Sequence, residues 1–124
     1  MIFLPKSFTV EESMITDGCN IQGNVKHSVL FSGVTVEKGA IVEDAVVMGH
    51  SRIREGAIVR HCIIAENVEI EPGAIVGEKP KKGGVGDVAT IASNVTIGAG
   101  VKIPADAMIY EDVYTTEEKE DEEQ

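Results

Sequence analysis

Three consecutive stretches of this chain, 26–42, 43–59 and 60–76, align without a gap, and each ends in Gly-Ala-Ile-Val. A 17-residue period repeated in this way means one structural unit stacked on copies of itself. Its columns each hold one chemical character: Val29, Val46 and Ile63; Val36, Ile53 and Ile70; Val42, Val59 and Val76. Stacked units bury apolar residues against their neighbours, so stability is shared along the stack.

A finer period near six residues runs inside each unit, through Val36, Val42 and Met48, and later Ile91, Ile97, Ile103 and Ile109. Four residues after most of these stands a small or branched apolar residue, such as Ala40, Ala57, Ala74, Val95, Val101 or Ala107. An amphipathic helix needs apolar steps of three and four residues, and these stretches do not supply them. Short strands meeting at corners fit instead, each with an inward side chain and a small residue near the bend.

Just before the small residue stand Gly18, Asn24, Gly39, Gly56, Asn67, Gly73, Asn94, Gly100 and Asp106. Gly, Asn and Asp tolerate positive φ at low cost, which suits a chain that turns every six residues. Ala45 and Cys62 break the rule in one column, so that corner is expected to be built differently. Three sides of about six residues would give a coil of about 18, and the 17 found here leaves one side a residue short. The expectation is an all-β parallel β-helix of about five coils between Ile15 and Ile109, its strands at the roughly 4.8 Å spacing of any sheet.

The rhythm stops over 77–90 (GEKPKKGGVGDVAT) and resumes at Ile91, which reads as a loop ejected from the side of the helix. From Glu111 to the end, eight acids stand against one Lys. That segment carries seven of the ten net negative charges and can bury almost nothing, so it is expected to be partly disordered. The organisation expected is a linker over 1–14, a β-helix over 15–110 containing the loop 77–90, and an acidic tail over 111–124.

With no Trp and few Phe or Tyr, the core must be aliphatic. Nothing in the body forms a basic face for nucleic acid or an anionic membrane. Met1 to Leu4 is broken by Pro5, too short a run for a signal-peptide core, and no apolar run approaches membrane-spanning length. Two cysteines, Cys19 and Cys62, make no disulfide framework, which points to the cytoplasm. Both are expected to be reduced and structural, since nothing cationic nearby favours a thiolate.

The six-residue rhythm resembles that of the hexapeptide-repeat proteins, and that resemblance, not the periodicity, implies a left-handed helix; general crossover rules favour the right hand. Within that class, Asp17-Gly-Cys-Asn-Ile-Gln-Gly, then His27-Ser-Val-Leu-Phe-Ser-Gly-Val and Glu43-Asp-Ala-Val-Val-Met, resemble the C-terminal domain of bacterial glucose-1-phosphate adenylyltransferase (ADP-glucose pyrophosphorylase). Leu4-Pro5 is similar to the linker that precedes it. The resemblance covers Leu4 to Ile109, loosely over the last coil, and implies a part in glycogen synthesis, where ATP and glucose 1-phosphate yield ADP-glucose and pyrophosphate. Its ATP and Mg2+ would belong to the parent enzyme, and no cofactor or metal to this domain.

That family's catalytic domain opens with a Gly-rich loop containing Arg and Leu. Here Gly83-Gly84-Val85-Gly86 lacks the Arg and leads into no helix, so the chain by itself is expected to be inactive. The resemblance further implies an N-terminal nucleotidyltransferase domain as partner, a homo- or hetero-oligomer, and a phosphorylated effector. Arg52, Arg54 and Arg60, alternating outward, are the cations such an effector needs, with Lys79, Lys81 and Lys82 crowding the loop. A solvated face beside Glu37, Glu43, Glu69 and Glu71 is the plainer reading.

No catalytic residue is assigned. His27 and His61 share a column with Asp44 between them, and His50 sits near a corner. An acyltransferase of this fold uses His as general base at a subunit interface, and a zinc hydrolase needs three converging on a metal. The spacings of 23 and 11 residues lack the close pair of β-helical zinc enzymes, so ordinary surface roles are expected. Leu30, Phe31 and Met48 read as core, or as a patch bared by an absent catalytic domain. The alternatives are a free-standing trimeric hexapeptide acyltransferase and a purely structural module.

Overall fold

The computed structural model describes residues 9–78 and 88–115. Its strands are two or three residues long and fall on three sheets in rotation, every pairing parallel. The first sheet stacks Thr9–Glu11, Asn24–Lys26, Ile41–Glu43, Ile58–Arg60, Ile75–Val76 and Lys102–Ile103. The second stacks Met14–Ile15, Val29–Leu30, Val46–Val47, Cys62–Ile64, Ala89–Ile91 and Met108–Ile109. The third stacks Asn20–Ile21, Thr35–Val36, Arg52–Ile53, Glu69–Ile70 and Thr96–Ile97. Three sheets visited in turn make a three-sided prism of about five coils, as the repeat predicts.

The register repeats the sequence period. Ile41 pairs with Ile58 and Ile58 with Ile75, and Val36 pairs with Ile53 and Ile53 with Ile70, each partner one period further along the chain. Across the interruption the step lengthens, running from Ile70 to Ile97 and from Ile75 to Lys102. Of the expected loop, 79–87 lie outside the described residues, and Ala89–Ile91 is already a strand.

The short side of the coil has a local cause. Between the first and second sheets a single residue, His61, joins Arg60 to Cys62, whereas the last coil turns through Pro104, Ala105, Asp106 and Ala107. The last coil, from Thr90 to Met108, is correspondingly longer than the repeat. The first coil, from Asn20 to Thr35, is shorter than the repeat because the chain turns sharply at buried Gly23. A Cβ there would lie 2.6 Å from both Ala40 O and Glu37 O, so only glycine fits.

Positive φ marks the corners. Gly18, Asn67 and Asn94 occupy one column and Gly39, Gly56, Gly73 and Gly100 another, as expected. Asn24 and Asp106 are corrections: neither has positive φ, and Asn24 lies in a strand because the first coil is tightened. The exceptional corner is also corrected. Ala45 and Cys62 point inward, 3% and 2% exposed, and the bend falls one residue earlier, at Glu12, His27, Asp44 and His61, φ 48–53°.

The core is a set of aliphatic columns: Val25, Val42, Val59 and Val76; Leu30, Val47, Ile64 and Ile91; Ile21, Val36, Ile53, Ile70 and Ile97, all fully buried. Each such burial contributes about 1.5–3 kcal/mol. Met48, expected to point inward, does not; Val47 fills the core and Met48 sits half-buried outside. Buried Ser51 stands in for a corner carbonyl, its Oγ donating to Ala65 O at 2.7 Å and accepting from Val68 N–H at 2.9 Å. At the far end Val113 adds a rung beside Ile97, and Gly98 N–H donates to Val113 O at 2.7 Å. The segment beginning at Glu111 thus contributes to the prism before the described residues stop at Thr115.

Candidate functional site

Because successive side chains alternate in and out, each sheet presents outward columns set only by sequence. The third sheet is the charged face. Arg52 Nε donates to Glu69 Oε1 at 2.6 Å, Arg54 Nε donates to Glu69 Oε2, and Arg54 Nη1 donates to Glu37 Oε2 at 2.8 Å. Burial pushes the Glu69 carboxyl up, but hydrogen bonds and charge from Arg54 and Arg52 outweigh it and hold it below the usual carboxylate range. The hydrogen bonds that Arg54 donates to Glu69 and then to Glu37 raise its own pKa in turn. On the first sheet Arg60 Nε donates to Glu43 Oε1 at 3.1 Å.

The three arginines singled out for an anionic effector therefore each face a carboxylate one rung away. The network gathers Arg52 and Arg54; Arg60 stands on another sheet. A phosphate would have to displace Glu69, Glu37 or Glu43 to reach them. Lys79, Lys81 and Lys82 lie outside the described residues.

All three histidines occupy left-handed corners. His27 and His61 share one with Asp44 between them, and His27 Nδ1 lies 2.7 Å from Asp44 Oδ1. Both partners are well exposed, at 68% and 43% of the side chain. His27 and Asp44 border an open groove of about 650 Å³ with Ser13, Met14, Val29 and Val46. His50 turns a different corner and lies over Gly33, where a Cβ would meet the ring at 2.7 Å. The arrangement does not converge: among the described residues no group of three His, Cys, Asp or Glu could hold a metal ion. Cys19 and Cys62 are free and buried, and burial pushes the Cys62 thiol up to about 12. Cys62 is therefore no nucleophile near neutral pH.

The second sheet carries what sequence reading half missed. Met14, Val29, Val46, Ile63, Thr90 and Met108 stand in strict register on its outer surface. Beside them runs a second outward column including Phe31, Met48, Ala65, Ala92 and Tyr110. Neither column contains an acidic or basic residue. Met14, Phe31, Ile63, Met108 and Tyr110 are 37–67% exposed. Leu30, grouped with Phe31 and Met48 in sequence, is core. The column Val29, Val46, Ile63 was visible as a repeat; that it faces outward is set by the one-residue corner, which shifts the alternation.

Among the described residues no helix is long and apolar enough to cross a membrane. The family model for the GlmU-like, C-terminal hexapeptide matches residues 5–85. Over 51 residues, 41% of the chain, the sequence is 55% identical to glucose-1-phosphate adenylyltransferases of Bacillus thuringiensis (strain Al Hakam), Bacillus mycoides (strain KBAB4) and Bacillus anthracis. The matched stretch spans 14% of each relative's length. The likeness to glucose-1-phosphate adenylyltransferase read in the sequence is borne out by that match, over 51 residues. Among solved structures, the acetyltransferase domain of PglB from Neisseria gonorrhoeae FA1090 is similar at TM-score 0.44 and 23% identity, covering 91% of this chain and 51% of that one.

Proposed function

This chain belongs to the GlmU-like, C-terminal hexapeptide family and is a left-handed parallel β-helix, and on that premise we propose that it is the non-catalytic assembly domain of a glucose-1-phosphate adenylyltransferase. The observation that carries this reading is the 55% identity over 51 residues to those enzymes. The geometry suits such a role. A prism locked by register through every rung is a rigid spacer, and its three outward surfaces differ enough to give a neighbour one orientation. On this reading the chemistry belongs to a nucleotide-binding domain that turns ATP and glucose 1-phosphate into ADP-glucose and pyrophosphate, in the cytoplasm and toward glycogen. The β-helix docks on that domain and sets how subunits meet.

Effector binding is the part of the reading with least support in the site, because Arg52, Arg54 and Arg60 are already neutralised by Glu69, Glu37 and Glu43. The test is to mix the chain with a separately produced nucleotidyltransferase domain of this enzyme class. We expect no pyrophosphate release by the chain alone, co-elution of the two proteins, and altered turnover by the mixture. Acetyl-CoA-dependent acyl transfer by the chain alone, or failure to bind the domain, would overturn the reading.

A further inference from the structure

We propose that the outer surface of the second sheet is a self-association face, on which a second copy of this chain seats the same surface. This deepens the assembly part of the function above and does not need the adenylyltransferase part. The first support is charge. A chain of net charge −10 repels its copies, and the other two sheets put acids or bases in their outward columns, including Glu37, Glu69, Glu43 and Lys26. The second sheet alone has outward columns free of charge, so its centre brings two copies together without setting like charges opposite each other, with Glu12 and Asp44 left at its edge.

The second support is shape and size. Six short strands in unbroken register give a surface about 25–30 Å long at the usual strand spacing. With two outward columns, five of whose side chains are 37–67% exposed, its accessible area is on the order of the 800 Å² per partner of a specific interface. Two such surfaces stack as any two sheets do, about 10 Å apart with side chains interleaved. A two-fold arrangement buries the same residues on both copies, and the middle rungs place Val46 and Ile63 at its centre.

The test uses the full chain. Sedimentation from low micromolar to near-millimolar concentration should show the mass rising from 13.2 kDa toward twice that value. Val46→Lys and Ile63→Lys should each weaken association about tenfold or more, as a charge at an interface centre does. Thr35→Lys on the charged face should leave it unchanged. Should the lysine variants fold poorly, Val46→Cys serves instead: Cys19 and Cys62 are buried, so a short bis-maleimide should couple two copies through position 46 and not through a Thr35→Cys control. A monomer at every concentration, an assembly that both lysine variants leave intact, or equal coupling through position 35 would each overturn the proposal. Failure here leaves binding to a nucleotidyltransferase domain untouched, since no such domain is present.

Discussion

The charged face and the apolar face are laid on one backbone. Behind the first stand Val36, Ile53, Ile70 and Ile97; behind the second stand Leu30, Val47, Ile64 and Ile91, all fully buried. In front, Glu37, Arg54 and Glu71 occupy the places that Phe31, Met48 and Ala65 take on the other side. Equally buried aliphatic interiors under opposite exteriors separate two jobs. Inward columns and corner residues determine the fold, and the outward columns are left free for recognition.

The widest gap between those jobs appears when the interior is charged. Ile97→Asp and Ile64→Asp, one behind each face, should both prevent folding, because an unpaired carboxylate in a dry column costs several kcal/mol. Circular dichroism and melting read this; a native β signal in either variant would show that the two faces do not share one core. Corners come next. Gly23→Ala drives a methyl to 2.6 Å from two carbonyl oxygens and should cost about 2–4 kcal/mol, whereas Gly56→Ala, in open space at φ +72°, should cost only about 1–2 kcal/mol for the left-handed conformation. Equal losses in denaturant titrations would contradict that ordering.

Outward changes should be smaller and should differ in kind between the faces. Glu69→Gln loosens Arg52 and Arg54 and should cost about 1 kcal/mol, since the network is part-exposed. The Glu69 pKa is lowered by folding, so the stability it adds is present above the ordinary glutamate value of about 4.3 and is lost as pH falls through the depressed folded value. Melting temperature of the native chain minus that of the Gln variant should therefore shrink below about pH 4; a difference constant with pH would contradict this. Val46→Lys, on the apolar face, should change the stability of a single chain by less than about 0.5 kcal/mol.

The repeat, the parallel stacking, the interruption and most corners were legible because each is a column in the sequence: Val42, Val59 and Val76 cannot be explained as helix, and Gly39, Gly56 and Gly73 recur with them. The corner through Glu12, His27, Asp44 and His61 was hidden, because none of these is Gly or Asn and Glu12 has no preference for the left-handed angle, although Asp and His tolerate it. Misplacing it by one residue left the orientation of Val29, Val46 and Ile63 unread, since a one-residue shift exchanges inside and outside. The pairing of Arg54 with Glu37 was likewise partly visible, as charges one period apart, but not that Glu69, one period from Arg52, also reaches Arg54.

Backbone proton contacts in the magnetic resonance spectrum of the intact chain would test the stacked register most directly. Cross-strand contacts should link Ile41 to Ile58 and Ile58 to Ile75, then jump from Ile70 to Ile97 and from Ile75 to Lys102. Helical contacts within 26–76, or contacts between neighbouring segments running in opposite directions, would contradict the account.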